Sequence, residues 1–212
     1  LGRVVYPRYY LPISIFLTAG GALSFQALVN HCLQPKLAIW KKVGLALVIA
    51  LFISNIASQA GQFVYAALTN PANLTLVSAD QEQYLHKWSA GYGIKPSVNY
   101  IQQLAQNQSV AVATEGSFGT LPDGALLYLH RQNVDQIYLE GIGYPVEALP
   151  EKFIKRAKDF DRVLLLVNQN RLQFELEPSR LLKSYCRPHQ APCLQIWDIT
   201  NLLETLPQKK AL

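Results

Sequence analysis

The sequence contains no methionine, few charged residues and, before Asp80, no acidic residue. Because position 1 is not Met, we expect the chain to be the C-terminal part of a longer protein. Charged residues make up 16% of the 212 residues, whereas an ordinary soluble domain has roughly 25%. Apolar residues make up 50%, an average share. They are therefore concentrated in part of the chain.

The net charge of +5 arises entirely near the N-terminus, because basic and acidic residues balance at 14 each after position 79. The basic residues before that point are Arg3, Arg8, Lys36, Lys41 and Lys42. A sequence pI of about 9.1 would often indicate nucleic-acid binding. Here the excess only flanks apolar runs, so we expect no nucleic-acid partner.

Two long stretches, residues 11–29 and 43–68, contain no charged residue. A helix needs about 20 apolar residues to cross the hydrocarbon core of a bilayer, and both stretches suffice. We predict a membrane region over residues 1–69, with transmembrane helices over about 10–30 and 43–66. The alternative is a pair of buried helices in a soluble protein. The lack of polar residues between positions 43 and 54 argues against it.

The segment between these stretches, residues 30–42, carries three lysines and Trp40. Short cytoplasmic loops are enriched in Lys and Arg, so this loop is predicted to face the cytoplasm. The remainder of the chain would then lie on the outer side of a bacterial cytoplasmic membrane, in contact with membrane lipids.

The cysteines provide a separate indication of compartment. Cys186 and Cys193 bracket the short loop CRPHQAPC, which a disulfide could close, and disulfides persist outside the cytosol. The alternative is two ordinary thiols. Together with His189 they supply too few ligands for a zinc site, and we predict no metal.

Residues 70–212 are predicted to form a small three-layer α/β domain with a mostly parallel sheet, because short apolar runs alternate with helical patterns. The predicted strands are 109–114, 135–140, 162–167 and 193–199, with 73–78 as a weaker fifth. The predicted helices begin at Pro96 and Thr120 and cover 151–158 and 179–185. A capping box of Thr120 and Asp123 is expected to open the second helix.

The loop TEGSFGTLPDG, residues 114–124, follows the first predicted strand. Ligands of such sheets collect at the carboxyl ends of the strands. Glu115 and Ser117 are therefore candidate substrate-binding residues for sugar hydroxyls or an anion. The alternative is a tight strand-to-helix turn. The loop lacks the dinucleotide fingerprint and the phosphate loop, and no cofactor is predicted.

Four motifs, YPRYYLP, WSAGYGIKPSVNYI, VATEGSFGTLPDGALLYL and LLLVNQN, suggest a family. With the two spans, they resemble the C-terminal end of bacterial membrane glycosyltransferases of the GT-C class, relatives of protein mannosyltransferases and aminoarabinose transferases. The resemblance implies a polyprenyl-phosphate sugar donor and transfer on the outer side of the membrane. The catalytic acid of that family lies upstream of Leu1. The resemblance therefore implies no catalytic residue in this chain and an inactive isolated fragment.

The remaining site candidates are Arg8 and its neighbours Tyr6, Tyr9 and Tyr10. Arg8 would lie at the outer interface, where its planar fork of donors suits the phosphate of a polyprenyl carrier. The tyrosines could flank a sugar or a prenyl chain. The alternative role is an anchor to bulk lipid headgroups. For the whole chain, the alternative function is a non-catalytic, membrane-anchored α/β module that binds a partner or assists assembly in the cell envelope.

Overall fold

The computed structural model describes residues 11–32, 38–129 and 136–209. Its contacts divide the chain into two units, Leu1–Asp80 and Gln81–Leu212, here called the helical unit and the α/β unit. The sequence placed this boundary earlier, between residues 69 and 70.

The helical unit contains two long helices, α1 (Leu11–Cys32) and α2 (Ile39–Thr69). At 1.5 Å per residue, α1 is about 33 Å long and α2 about 46 Å, so each reaches across a hydrocarbon core of about 30 Å. Both helices are long and apolar enough to span a membrane, and none of the residues that determine this is buried.

Several polar side chains in these helices make hydrogen bonds within the same helix. The hydroxyls of Thr18 and Ser24 donate to carbonyls one turn earlier, at 2.7 and 2.9 Å. The Gln59 amide donates to Asn55 Oδ1 at 2.8 Å. Such internal pairing is what apolar surroundings require.

Helix α2 begins earlier and ends later than predicted. Trp40, Lys41 and Lys42 lie in its first turns rather than in a connecting loop, and the Lys41 ammonium stands 5.3 Å from the centre of the Trp40 ring. At the other end, α2 stops at Thr69, two residues before Pro71. Proline and the residue before it disfavour continuation of a helix.

A run of short helical segments leads into the α/β unit. They are α3 (Ser78–Gln81), a π-helical turn over Glu82–His86 and a 3₁₀ turn over Trp88–Ala90. The predicted weak strand over 73–78 is wrong, since no strand forms there. The further helices are α4 (Ile94–Leu104), α5 (Asp123–Leu129) and α6 (Glu151–Ala157).

The α/β unit is built on a five-stranded sheet. Its strands are β1 (Val110–Thr114), β2 (Ile137–Gly141), β4 (Arg162–Asn168), β5 (Leu181–Tyr185) and β6 (Leu194–Asp198). Their order across the sheet is β2-β1-β4-β6-β5. A two-stranded sheet pairs β3 (Leu149–Pro150) with β7 (Gln208–Lys209).

The larger sheet is mixed. Strand β1 pairs in parallel with β2 and β4, whereas β6 is antiparallel to both β4 and β5. Four strands therefore run in one direction and β6 alone runs in the other. The connection from β5 to β6 is a hairpin, too short for the crossover that a parallel pair needs.

The predicted helix over 179–185 is wrong, because those residues contain a 3₁₀ turn followed by β5. Pairing with β6 determines the conformation of this segment, because tertiary contacts override local helix propensity.

Alternate residues of the central strands face two separate cores, as strand geometry requires. Ala111, Ala113 and Leu165 pack with Phe153 of α6 on one face. On the other face, residues of β1, β4 and β6 pack with α4 and α5. The prediction of a three-layer unit is confirmed.

Candidate functional site

The loop 114–124 leaves the carboxyl end of β1 and is held by backbone contacts. The Gly116 amide donates to the Gly143 carbonyl at 2.7 Å, and the reverse bond measures 3.1 Å. Gly116 has φ +80, and a Cβ atom there would stand 2.4 Å from the Leu121 carbonyl oxygen. Only glycine fits such a position. This geometry favours the tight-turn interpretation of the loop.

The predicted capping box is wrong by one residue. The Asp123 carboxylate accepts a hydrogen bond from the backbone amide of Gly119, at 2.7 Å, instead of from Thr120. Asp123 is also the first residue of α5. Its carboxylate therefore stabilises the turn before the helix.

Glu115 points inward from this loop. Its side chain is 1% exposed and accepts hydrogen bonds from the Asn168 backbone amide at 2.9 Å, from the Asn168 side-chain amide at 2.5 Å and from Arg171 Nη1 at 3.3 Å. Ser117 is exposed and makes no hydrogen bond with this carboxylate in the described chain. The structure does not bring the two candidate residues together.

A second buried arginine, Arg187, lies beside this cluster. It donates from Nη2 to Asn168 Oδ1 and from Nη1 to the Pro192 carbonyl. Its Nε atom is buried and has no hydrogen-bond partner among the described residues. Burial lowers the pKa of the Arg187 guanidinium; the Glu115 charge acts against this effect, and the Arg171 charge adds to it. An arginine remains protonated in proteins, so the cluster contains two cations and one carboxylate.

Two aromatic rings hold the guanidinium of Arg171. Its central carbon lies 4.2 Å from the centre of the Trp88 ring and 4.0 Å from that of Tyr144. Cations over aromatic faces are attracted by the ring quadrupole. Trp88 is 39% exposed and Tyr144 is 62% exposed, so both rings also present surface to a ligand.

These residues line a cleft of about 520 Å³, which we call the arginine cleft. It lies beside the carboxyl ends of β1, β2 and β4. Its lining residues are Glu82, His86, Lys87, Trp88, Tyr144, Asn170, Arg171, Arg187, Ala191 and Pro192. Its volume falls within the range of roughly 300–1,000 Å³ that is usual for small-molecule sites.

A disulfide joins Cys186 to Cys193 and closes the hairpin loop between β5 and β6. Within this loop His189 and Gln190 have φ angles of +57° and +59°. Such positive values are uncommon for residues other than glycine. The amide of Gln169 donates to the Cys193 carbonyl at 2.9 Å. The loop therefore lies against the end of β4, where Arg187 contacts Asn168.

Sequence reasoning found Glu115 but missed Arg171, Arg187, Trp88 and Tyr144. One signal was available, because Asn168 and Arg171 follow a strand predicted to be parallel to β1. Their side chains belong at the same edge of the sheet as Glu115. Nothing comparable indicated the two rings, which come from a turn before α4 and from the loop after β2.

The remaining candidates, Tyr6, Arg8, Tyr9 and Tyr10, lie outside the residues that the structure describes. Comparisons of the chain with protein-family models, with curated proteins and with solved structures found no match.

Proposed function

We propose that the chain is the C-terminal part of an integral membrane glycosyltransferase that transfers a sugar from a polyprenyl-phosphate carrier to an acceptor in the cell envelope. The observation that carries this proposal is the apolar surface of the helical unit. Leu51, Phe52 and Leu68 of α2 are 70%, 67% and 81% exposed. A surface of this kind and length is suited to lipid rather than water.

Two further features support the proposal. The Cys186–Cys193 disulfide suits the outer side of a membrane, where a lipid-linked donor would be used. The arginine cleft offers cationic and aromatic surface in the same chain, which suits anionic or sugar-bearing molecules.

In this proposal the carboxylates of Glu115 and Asp198 have structural roles. Glu115 is enclosed by Asn168 and Arg171, and Asp198 is held by Thr200 and Arg162. The catalytic acid would be supplied by sequence upstream of Leu1, as the resemblance to the GT-C class implies.

The test is a transfer assay with the full-length protein in proteoliposomes and a panel of labelled polyprenyl-phosphate sugars. We expect sugar to leave the carrier only when the protein is present. If no carrier in the panel is consumed while the protein is inserted and folded, the chain is a membrane-anchored binding or assembly module instead.

Within the same assay, Arg8→Ala should lower turnover at limiting carrier more than Arg8→Lys, since lysine retains the charge but loses the planar fork. A charge-assisted hydrogen bond contributes about 1.5–3 kcal/mol, which corresponds to a loss of roughly tenfold to a hundredfold. Arg3→Ala is the matched control. Normal turnover of Arg8→Ala would assign Arg8 to lipid anchoring alone.

A further inference from the structure

The arginine cleft contains an unbalanced positive charge. Among the described residues, two buried guanidiniums, those of Arg171 and Arg187, face one buried carboxylate, that of Glu115. The other ion pair at the cleft, between Lys87 and Glu82, is neutral in itself, with 2.5 Å between its charged atoms. Unpaired charge away from water is unfavourable. One negative charge from a ligand would therefore complete the cluster.

The donors needed to hold such a charge are present at the wall of the cleft. Arg171 gives only Nη1 to Glu115, over 3.3 Å, and its Nε and Nη2 atoms make no hydrogen bond with any described residue. The contacts with Trp88 and Tyr144 fix the orientation of this guanidinium. A preoriented arginine fork suits the two oxygens of a carboxylate or a phosphate.

The aromatic residues add a second kind of recognition. Trp88 and Tyr144 lie within about 4 Å of the guanidinium and are both partly exposed. An aromatic face offers dispersion contacts and apolar burial to the C–H face of a sugar ring. An inorganic anion would leave this surface unused, whereas an anionic sugar would cover it.

We propose that the arginine cleft binds a saccharide that carries one oxyanion, a carboxylate or a phosphodiester. The oxyanion is held by Arg171 and the sugar ring lies against Trp88 and Tyr144. The lining residues of this site all belong to the α/β unit. Ligand binding at this site requires no transfer reaction. The test of this proposal is therefore independent of the test of the proposed function.

The test is calorimetric titration of the complete chain in detergent micelles with four probes. These are D-glucuronate, the methyl phosphodiester of glucose 1-phosphate, glucose and inorganic phosphate. We expect saturable binding of at least one of the first two, with glucose and inorganic phosphate each weaker by tenfold or more. The anionic sugar that binds more tightly shows whether the site prefers a carboxylate or a phosphodiester.

Three variants locate the site. Arg171→Lys should weaken binding of the anionic sugar by about tenfold to a hundredfold, as expected for a lost charge-assisted fork. Tyr144→Ala should also weaken sugar binding. Because this change leaves the Glu115–Arg171 pair in place, it tests the site even if Arg171→Lys fails to fold. Arg180→Lys is the matched control, because Arg180 pairs with Glu177 outside the cleft.

Three results would overturn the proposal. The first is that neither anionic sugar binds. The second is that glucose or inorganic phosphate binds as tightly as the anionic sugars. The third is that the affinity for the anionic sugars is unchanged both in Tyr144→Ala and in any Arg171 variant that folds. Equal affinity for inorganic phosphate would identify a general anion site.

Discussion

At the scale of single residues, the Glu115 carboxylate receives hydrogen bonds from both amides of Asn168 and from Arg171. Asn168 in turn accepts from Arg187. The two cations of the cleft are therefore connected through one carboxylate and one amide. Because Glu115 is 1% exposed, we expect its carboxylate to stabilise the arginines rather than to contact a ligand directly.

Replacing Glu115 with Gln should lower the free energy of unfolding by about 3 kcal/mol. The change keeps the size of the side chain but leaves two buried cations without a counter-charge, and breaking a buried ion pair costs about 3–5 kcal/mol. The measurement is denaturant unfolding of the solubilised chain, followed by tryptophan fluorescence.

The matched control is Glu175→Gln, because Glu175 is exposed. A surface change of this kind should stay within about 0.5 kcal/mol. If Glu115→Gln is equally mild, the charge of Glu115 does not hold the cluster together.

At the scale of elements, the β5–β6 hairpin supplies one wall of the arginine cleft. The disulfide that closes it spans a sequence separation of 7. Arg187 lies inside this loop, next to Cys186. The position of its guanidinium therefore depends on the hairpin being closed.

The double variant Cys186→Ser/Cys193→Ser should unfold more easily, by about 2.5 kcal/mol from the loop-closure entropy of so short a loop. Reduction of the wild-type chain should have the same effect, and denaturant unfolding with and without reductant measures it. Cys32→Ser should change neither result. A reductant-insensitive stability would contradict the structural role of the bond.

Elements with strong local signals could be predicted from the sequence. Strand β4 is a continuous apolar run and was predicted almost to the residue, as were β1 and α6. Strand β5 was not, because the segment around Leu182 becomes a strand only through its partner β6. The cleft shows the same division. Glu115 follows a predicted strand, whereas the contact between Arg171 and Trp88 joins positions far apart in the chain, which local patterns do not report.

At the scale of the whole molecule, the lysines near the start of α2 determine the expected orientation. A cysteine replacing Lys41, in a Cys32→Ser background, should be shielded from a membrane-impermeant thiol reagent in intact cells. A cysteine replacing Lys158 should react, since that side chain is 51% exposed and would lie outside. The positive-inside tendency is the physical reason.

Labelling after the membrane is permeabilised is the control, and it should make both positions reactive. The opposite pattern in intact cells would place the α/β unit in the cytoplasm. The disulfide would then have to persist in a reducing compartment.

The alternation along β1 also limits which changes of chain length the α/β unit tolerates. Its alanines face the layer that contains Phe153, and its valines face the layer that contains Ile101. Deleting or inserting one residue in this strand would exchange the two sets. Valines would then crowd the side that accommodates small groups, and alanines would leave voids on the other side. Indels inherited by related chains should therefore spare β1 and accumulate in exposed loops.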